Sequence, residues 1–115
     1  MAIPNDNTRA VFEELKKCAK NMYTDNYDNI AQRAGMEPGA GRAMGPHLGY
    51  IRDEICVKRG LPHLNQLAVL AGTWRPGDSV LPDKFTIPDE AAELIWRGTV
   101  LQVFAYPWDN VKFDE

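Results

Sequence analysis

The chain is poor in the residues that carry most covalent and metal chemistry. Its 115 residues include two cysteines, two histidines and one serine. Cys18 and Cys56 sit in helix-like patterns with no short metal spacing, so each reads as a small interior residue, not as part of a disulfide framework. Without disulfides the cytoplasm is the default compartment. His47 and His63 have no acidic or cysteine partner at ligand spacing, which leaves both as surface or capping histidines and gives no metal site. Ser79 lacks a nucleophile elbow. Asp89, Glu90 and Glu93 are better placed to favour a helix N-terminus than to act as an acid–base pair. The glycines of Pro38-Gly39-Ala40-Gly41-Arg42 follow no strand and lead to no Gly-Lys-Ser/Thr, so they are not a nucleotide phosphate loop. No catalytic residue and no cofactor is expected. Long apolar runs are missing too: no window approaches the roughly 18–20 residues of a membrane span, and no signal-like run opens the chain. No membrane partner is expected.

What remains suits one domain over residues 1–115, long enough to close a single core. Apolar residues make up 44% and charged residues 25%, both ordinary for a globular chain. The formal charge of -3 disfavours nucleic acid as a partner, but it is unevenly spread. Residues 1–60 hold nine Lys/Arg against eight Asp/Glu, and residues 61–115 hold four against eight. A nucleic-acid face needs only a local basic patch, and the first half has room for one.

Asn7 or Thr8 can cap a first helix running to about Tyr23. Val11, Phe12, Leu15, Cys18, Ala19 and Met22 lie on one stripe at spacings of three and four. Lys16, Lys17, Lys20, Glu13 and Glu14 fall mostly on the other side, as a solvated face or a phosphate contact. Thr24-Asp25-Asn26 breaks the pattern, and a short helix follows with Tyr27, Ile30, Ala31 and Ala34 inward, ended by Gly35. Pro38 suits the first turn of the next helix. Gly39, Gly41 and Gly45 are poor helix formers, there for close packing or for approach to a DNA backbone. Gly45-Pro46 should kink or break that helix. Leu48, Ile51 and Ile55 then carry the stripe to Gly60, with Arg52, Lys58 and Arg59 on the polar side.

The region 27–60 therefore reads as a helix-turn-helix. Gln66–Ala71 reads as a strand and Ser79–Leu81 as a weaker partner, joined through Pro76-Gly77 in a type II turn. That hairpin, a wing over about 66–81, would carry Trp74 and Arg75 near its tip. After a connector, Asp89 caps a last element over about 89–106, either all helix or helix to Arg97 followed by a strand from Val100 to Tyr106. The aromatic tail Tyr106-Pro107-Trp108 can pack back on the core. The expected fold is mainly α with a small β-hairpin, a winged helix-turn-helix.

Tyr27-Asp-Asn-Ile-Ala-Gln-Arg-Ala-Gly35 followed by Gly41-Arg42-Ala43-Met44-Gly45 resembles the DNA-binding domain of O6-alkylguanine-DNA alkyltransferases and alkyltransferase-like proteins. The resemblance covers about a sixth of the chain. It implies that Tyr27 meets the phosphate backbone and that Arg42 enters the base stack as a base is flipped out. The family's Pro-Cys-His-Arg motif is absent, so alkyl transfer is not implied. Together these observations lead to a non-enzymatic module for duplex DNA of the kind expected of a bacterial or phage accessory or regulatory protein. Tyr27, Arg42, Arg52, Lys58, Arg59 and Arg75 would make the contacts. The alternative is a protein-interaction module on the same scaffold, with Trp96, Tyr106 and Trp108 of the acidic second half as its surface.

Overall fold

A computed structural model describes residues 6–37, 40–69 and 89–114. The chain is mainly helical, with one two-stranded parallel sheet. Helix α1 (Asp6–Lys20) is the element on which the rest assembles. Its apolar stripe is Val11, Phe12, Leu15, Cys18 and Ala19, each at most 1% exposed. Thr8 is buried in the first turn, where its hydroxyl lies 2.8 Å from His47 Nδ1, so it does not cap the helix from outside. Glu14 is buried as well, against its assignment to the solvated side.

Strand β1 (Asp25–Asn26) leads directly into α2 (Tyr27–Arg33). The Asn26 side chain accepts from the Asn29 amide at 2.8 Å and caps the helix. Ile30 and Ala31 are buried, with Tyr27 and Ala34 partly buried against them. A 3-10 turn (Ala40–Ala43) opens α3 (Met44–Tyr50), which continues as a π-helix over Ile51–Val57. Pro46 does not break α3. The helix begins at Met44, and proline in a first turn lacks only a donor that would be idle there. Met44, Leu48, Ile51, Ile55 and Cys56 supply its buried face.

Three helical runs end in the same cap, in which two amides close back on the last turn. At Gly35 (φ +85°) the Met36 amide reaches the Ala31 carbonyl and the Gly35 amide that of Gln32. At Gly60 (φ +69°) the Leu61 amide reaches Cys56 at 2.8 Å. At the end of α1 the same cap falls on Met22 (φ +57°), with the Tyr23 amide on the Cys18 carbonyl at 3.1 Å. Met22 is thereby turned off the apolar stripe and is 68% exposed.

Leu64–Leu67 forms a 3-10 turn, and Ala68–Val69 is strand β2. The expected strand from Gln66 thus begins two residues later. Its described partner is β1, parallel, in the register Asp25 to Ala68 and Asn26 to Val69. A parallel pair needs a long crossover, and the helices between β1 and β2 provide it. The wing turn, Ser79–Leu81 and the connector lie outside the described residues. Helix α4 runs unbroken from Asp89 to Ala105, so Val100–Tyr106 is not a strand. Packing settles that ambiguity: Trp96, Val100 and Val103 recur at helical spacing and are all buried. The tail folds back as expected, with Trp108, Val111 and Phe113 in the core and Phe113 edge-on to Phe12.

Candidate nucleic-acid interface

The junction of α1, β1 and α2 is fastened by one arginine. Arg33 Nε donates to Glu14 Oε2 at 3.2 Å, one terminal nitrogen to Asp25 Oδ2 at 2.5 Å, and the other faces Cys18 Sγ at 3.6 Å. Lys17 adds a second contact to Glu14. Burial by itself pushes the Asp25 carboxyl up. Hydrogen bonds from Asn29, Arg33 and the Asn26 amide outweigh it and hold the group below its ordinary value. Arg33 responds in kind: burial lowers it, and Asp25 and Glu14 raise it by more. The partners are 8 and 19 residues away in the chain, so no helical spacing announces them.

On that support α2 presents Asp28, whose carboxylate accepts the Gly41 amide at 3.1 Å across the turn. A Cβ at position 41 would collide with the Asp28 carboxylate, so this glycine exists for close packing between the two helices. Gly45 and Gly49 differ: among the described residues nothing lies within 4 Å of a Cβ built on either. Met44 and Leu48 face inward, while Ala43, Gly45 and Pro46 face outward. Among the described residues, the outer side of α3 is therefore lined by small side chains.

The expected contact residues divide around this face. Tyr27, at the start of α2, is partly buried against the core. Arg42 lies in the 3-10 turn just before α3, and its side chain is outside the described set. Arg52, one turn beyond Gly49, is forked on Asp53 at 2.8 and 3.0 Å, which raises its pKa and offsets part of its positive charge. Lys58 pairs with Glu54 at 3.5 Å and is 71% exposed. Arg59 is pinned to the tail, donating to the Lys112 and Phe113 carbonyls at 2.6 and 2.7 Å, so its role is to hold that tail. Arg75 lies outside the described residues. The α1 lysines are occupied as well: Lys16 donates to the Val111 carbonyl at 2.7 Å, and Lys20 pairs with Asp109 at 3.4 Å.

Trp96 and Trp108 do not form a contact surface. They are 7% and 3% exposed, with their indole N–H groups on the Gln66 and Val103 carbonyls. Neither thiol is set up as a nucleophile. Cys56 is fully buried, and burial pushes it up to about 11 despite hydrogen bonds from the Leu64 and Asn65 amides. Burial likewise raises Cys18. Among the described residues no group of three His, Cys, Asp or Glu could hold a metal ion. No described helix is long and apolar enough to cross a membrane.

No family model, curated protein or solved structure matches this chain. The functional reading therefore rests on the site itself.

Proposed function

We propose that the chain is a DNA-binding module whose α2–α3 unit acts as a helix-turn-helix, with the outer face of α3 entering the major groove. One observation carries the reading. The inner face of α3 is packed and the Asp28–Gly41 bond fixes the 3-10 turn that leads into it, while no described residue lies within 4 Å of a Cβ built at Gly45 or Gly49. Glycine in a helix costs about 1 kcal/mol relative to alanine, and at these two positions no contact with a described residue needs it. Approach of an external surface accounts for both. In this reading Arg42, in the turn leading into α3, supplies the base-edge or intercalating contact. Tyr27 positions the backbone, and Arg75 adds a contact from the wing of a winged-helix fold related to the alkyltransferase-like domains. Arg52 and Lys58 contribute reduced charge, because each already holds a carboxylate.

The pairing of the other cations makes the proposal quantitative. With Lys16, Lys17, Lys20 and Arg59 engaged within the molecule, two or three phosphates are neutralised. The slope of log K against log salt is then about -2 to -3. A fluorescence-anisotropy titration of a labelled duplex from about 50 to 200 mM salt tests this. Absence of binding at the low-salt end overturns the proposal, and a slope steeper than about -6 overturns the contact set.

A further inference from the structure

Arg9, Lys16 and Lys20 stand seven and four residues apart on α1, which sets them within about 40° of one another along roughly 16 Å of helix. The end of the chain runs antiparallel along this row and gives each cation an oxygen. Lys20 meets the Asp109 carboxylate at 3.4 Å, Lys16 the Val111 carbonyl at 2.7 Å and Arg9 the Asp114 carboxylate at 2.8 Å. Arg59 grips the same segment from the other side, at the Lys112 and Phe113 carbonyls. One short segment, Asp109 to Asp114, thereby occupies four cations.

Apolar packing holds this segment more than charge does. Val111 and Phe113 are buried, and Phe113 lies against Phe12, Tyr50 and the Arg9 guanidinium. The two ion pairs are at the surface, with Lys20 and Asp109 67% and 74% exposed and Arg9 and Asp114 49% and 69%. Pairs so exposed contribute little. A cavity of about 310 Å³ separates Arg9, Glu13 and Lys16 from Lys112, Phe113 and Asp114, so the end of the segment is incompletely packed. Trp108 is anchored independently, its indole N–H on the Val103 carbonyl, and the segment can leave without it.

We propose that Arg9, Lys16, Lys20 and Arg59 form a second contact surface for the phosphate backbone of duplex DNA, and that Asp109–Asp114 is a releasable strap over it. The inference rests on the DNA-binding reading. Carboxylate and carbonyl oxygens of the strap stand where phosphate oxygens stand once it is released. Glu13, 3.6 Å from Lys16, stays on the row and offsets one of the four charges. Release therefore adds about three neutralised phosphates and steepens the slope of log K against log salt by about 3.

Two measurements on the full chain test this. Phe113→Ala removes an apolar anchor of the strap without changing the charge. In the anisotropy titration it should bind duplex roughly tenfold more tightly than wild type at about 50 mM salt, with the steeper slope. In the wild-type chain, tryptic cleavage after Lys112, read by mass spectrometry as loss of Phe113-Asp114-Glu115, should run roughly threefold faster with saturating duplex, because DNA on the cations holds the strap open. A folded Phe113→Ala variant with wild-type affinity and slope overturns the inference and leaves the α3 reading standing. Duplex that leaves cleavage unchanged or slows it also overturns the inference, and this arm decides if Phe113→Ala does not fold. Duplex binding by Phe113→Ala but not by wild type supports the strap and overturns the α3 contact. Binding by neither overturns both.

Discussion

Placing a side chain on the outer face of α3 separates the fold from the proposed function. Gly49→Leu places its Cβ where no described residue lies within 4 Å. It also replaces a poor helix former inside α3 with a good one, a gain of up to about 1 kcal/mol. For a domain of this size that is a rise in Tm of roughly 4–8 °C. The same side chain stands several ångströms off the backbone at the centre of the proposed contact, and it should weaken duplex binding at least tenfold, about 1.4 kcal/mol. Gly45→Leu should act alike on binding with a smaller gain in stability, because position 45 is in the first turn. Thermal unfolding followed by circular dichroism and anisotropy with one duplex at about 50 mM salt read the two effects independently. Unchanged affinity in a variant of normal stability refutes the assignment of this face. A large fall in Tm refutes the claim that the face is open.

Five further outcomes follow from the packing. Met22→Gly should stabilise the chain by about 0.5–1 kcal/mol in denaturant unfolding, because it relieves a left-handed residue while adding freedom to the unfolded state. Gly41→Ala should destabilise by about 1–3 kcal/mol by displacing the Asp28 carboxylate from the Gly41 amide, and much less in an Asp28→Ala background. Arg33→Ala should cost about 2–3 kcal/mol, less than a fully buried ion pair because Arg33 is partly exposed, Lys17 still reaches Glu14, and Asn29 and the Asn26 amide still reach Asp25. Because the Asp25 carboxyl is lowered in the fold, its contribution is present above the unfolded value near 3.9 and is lost as pH falls through the lowered folded value. Wild-type urea midpoints should therefore fall in acid more steeply than those of Asp25→Asn. His47 is lowered by burial beside Thr8, so its contribution is present above the unfolded value near 6.5 and is lost on acidification through the folded one. His47→Gln should remove that step from a plot of stability against pH.

The elements legible in the sequence are those with a local cause. The stripe Val11, Phe12, Leu15, Cys18, Ala19 is a helix face wherever it is placed, and Gly35 and Gly60 end helices because they alone reach positive φ without strain. The burial of both cysteines and the return of the aromatic tail followed from composition and position. The misreadings fall where local rules compete. Gly45-Pro46 reads as a break because the sequence does not show that the helix starts only at Met44. Val100–Tyr106 tolerates either structure, and the match of Trp96, Val100 and Val103 to one face of a helix decided it. Trp96 and Trp108 read equally well as an interface or a core until their N–H groups find carbonyls inside.

The sequence by itself determined most of the stripe that α1 buries, the inward residues of α2 and the Leu48, Ile51, Ile55 stripe, and it carries no disulfide, metal or phosphate-loop pattern. These depend on period and residue type, which are properties of neighbours along the chain. Tertiary structure decided which side chains are spoken for. Arg33 closes on carboxylates from two other elements, Arg59 and Lys16 on the C-terminal tail, and Gly41 on Asp28, while Gly45, Gly49 and Gly98 face outward. A charge or a glycine has the same propensity in either role. Only the distance to a partner far away in the chain distinguishes a brace from a contact surface.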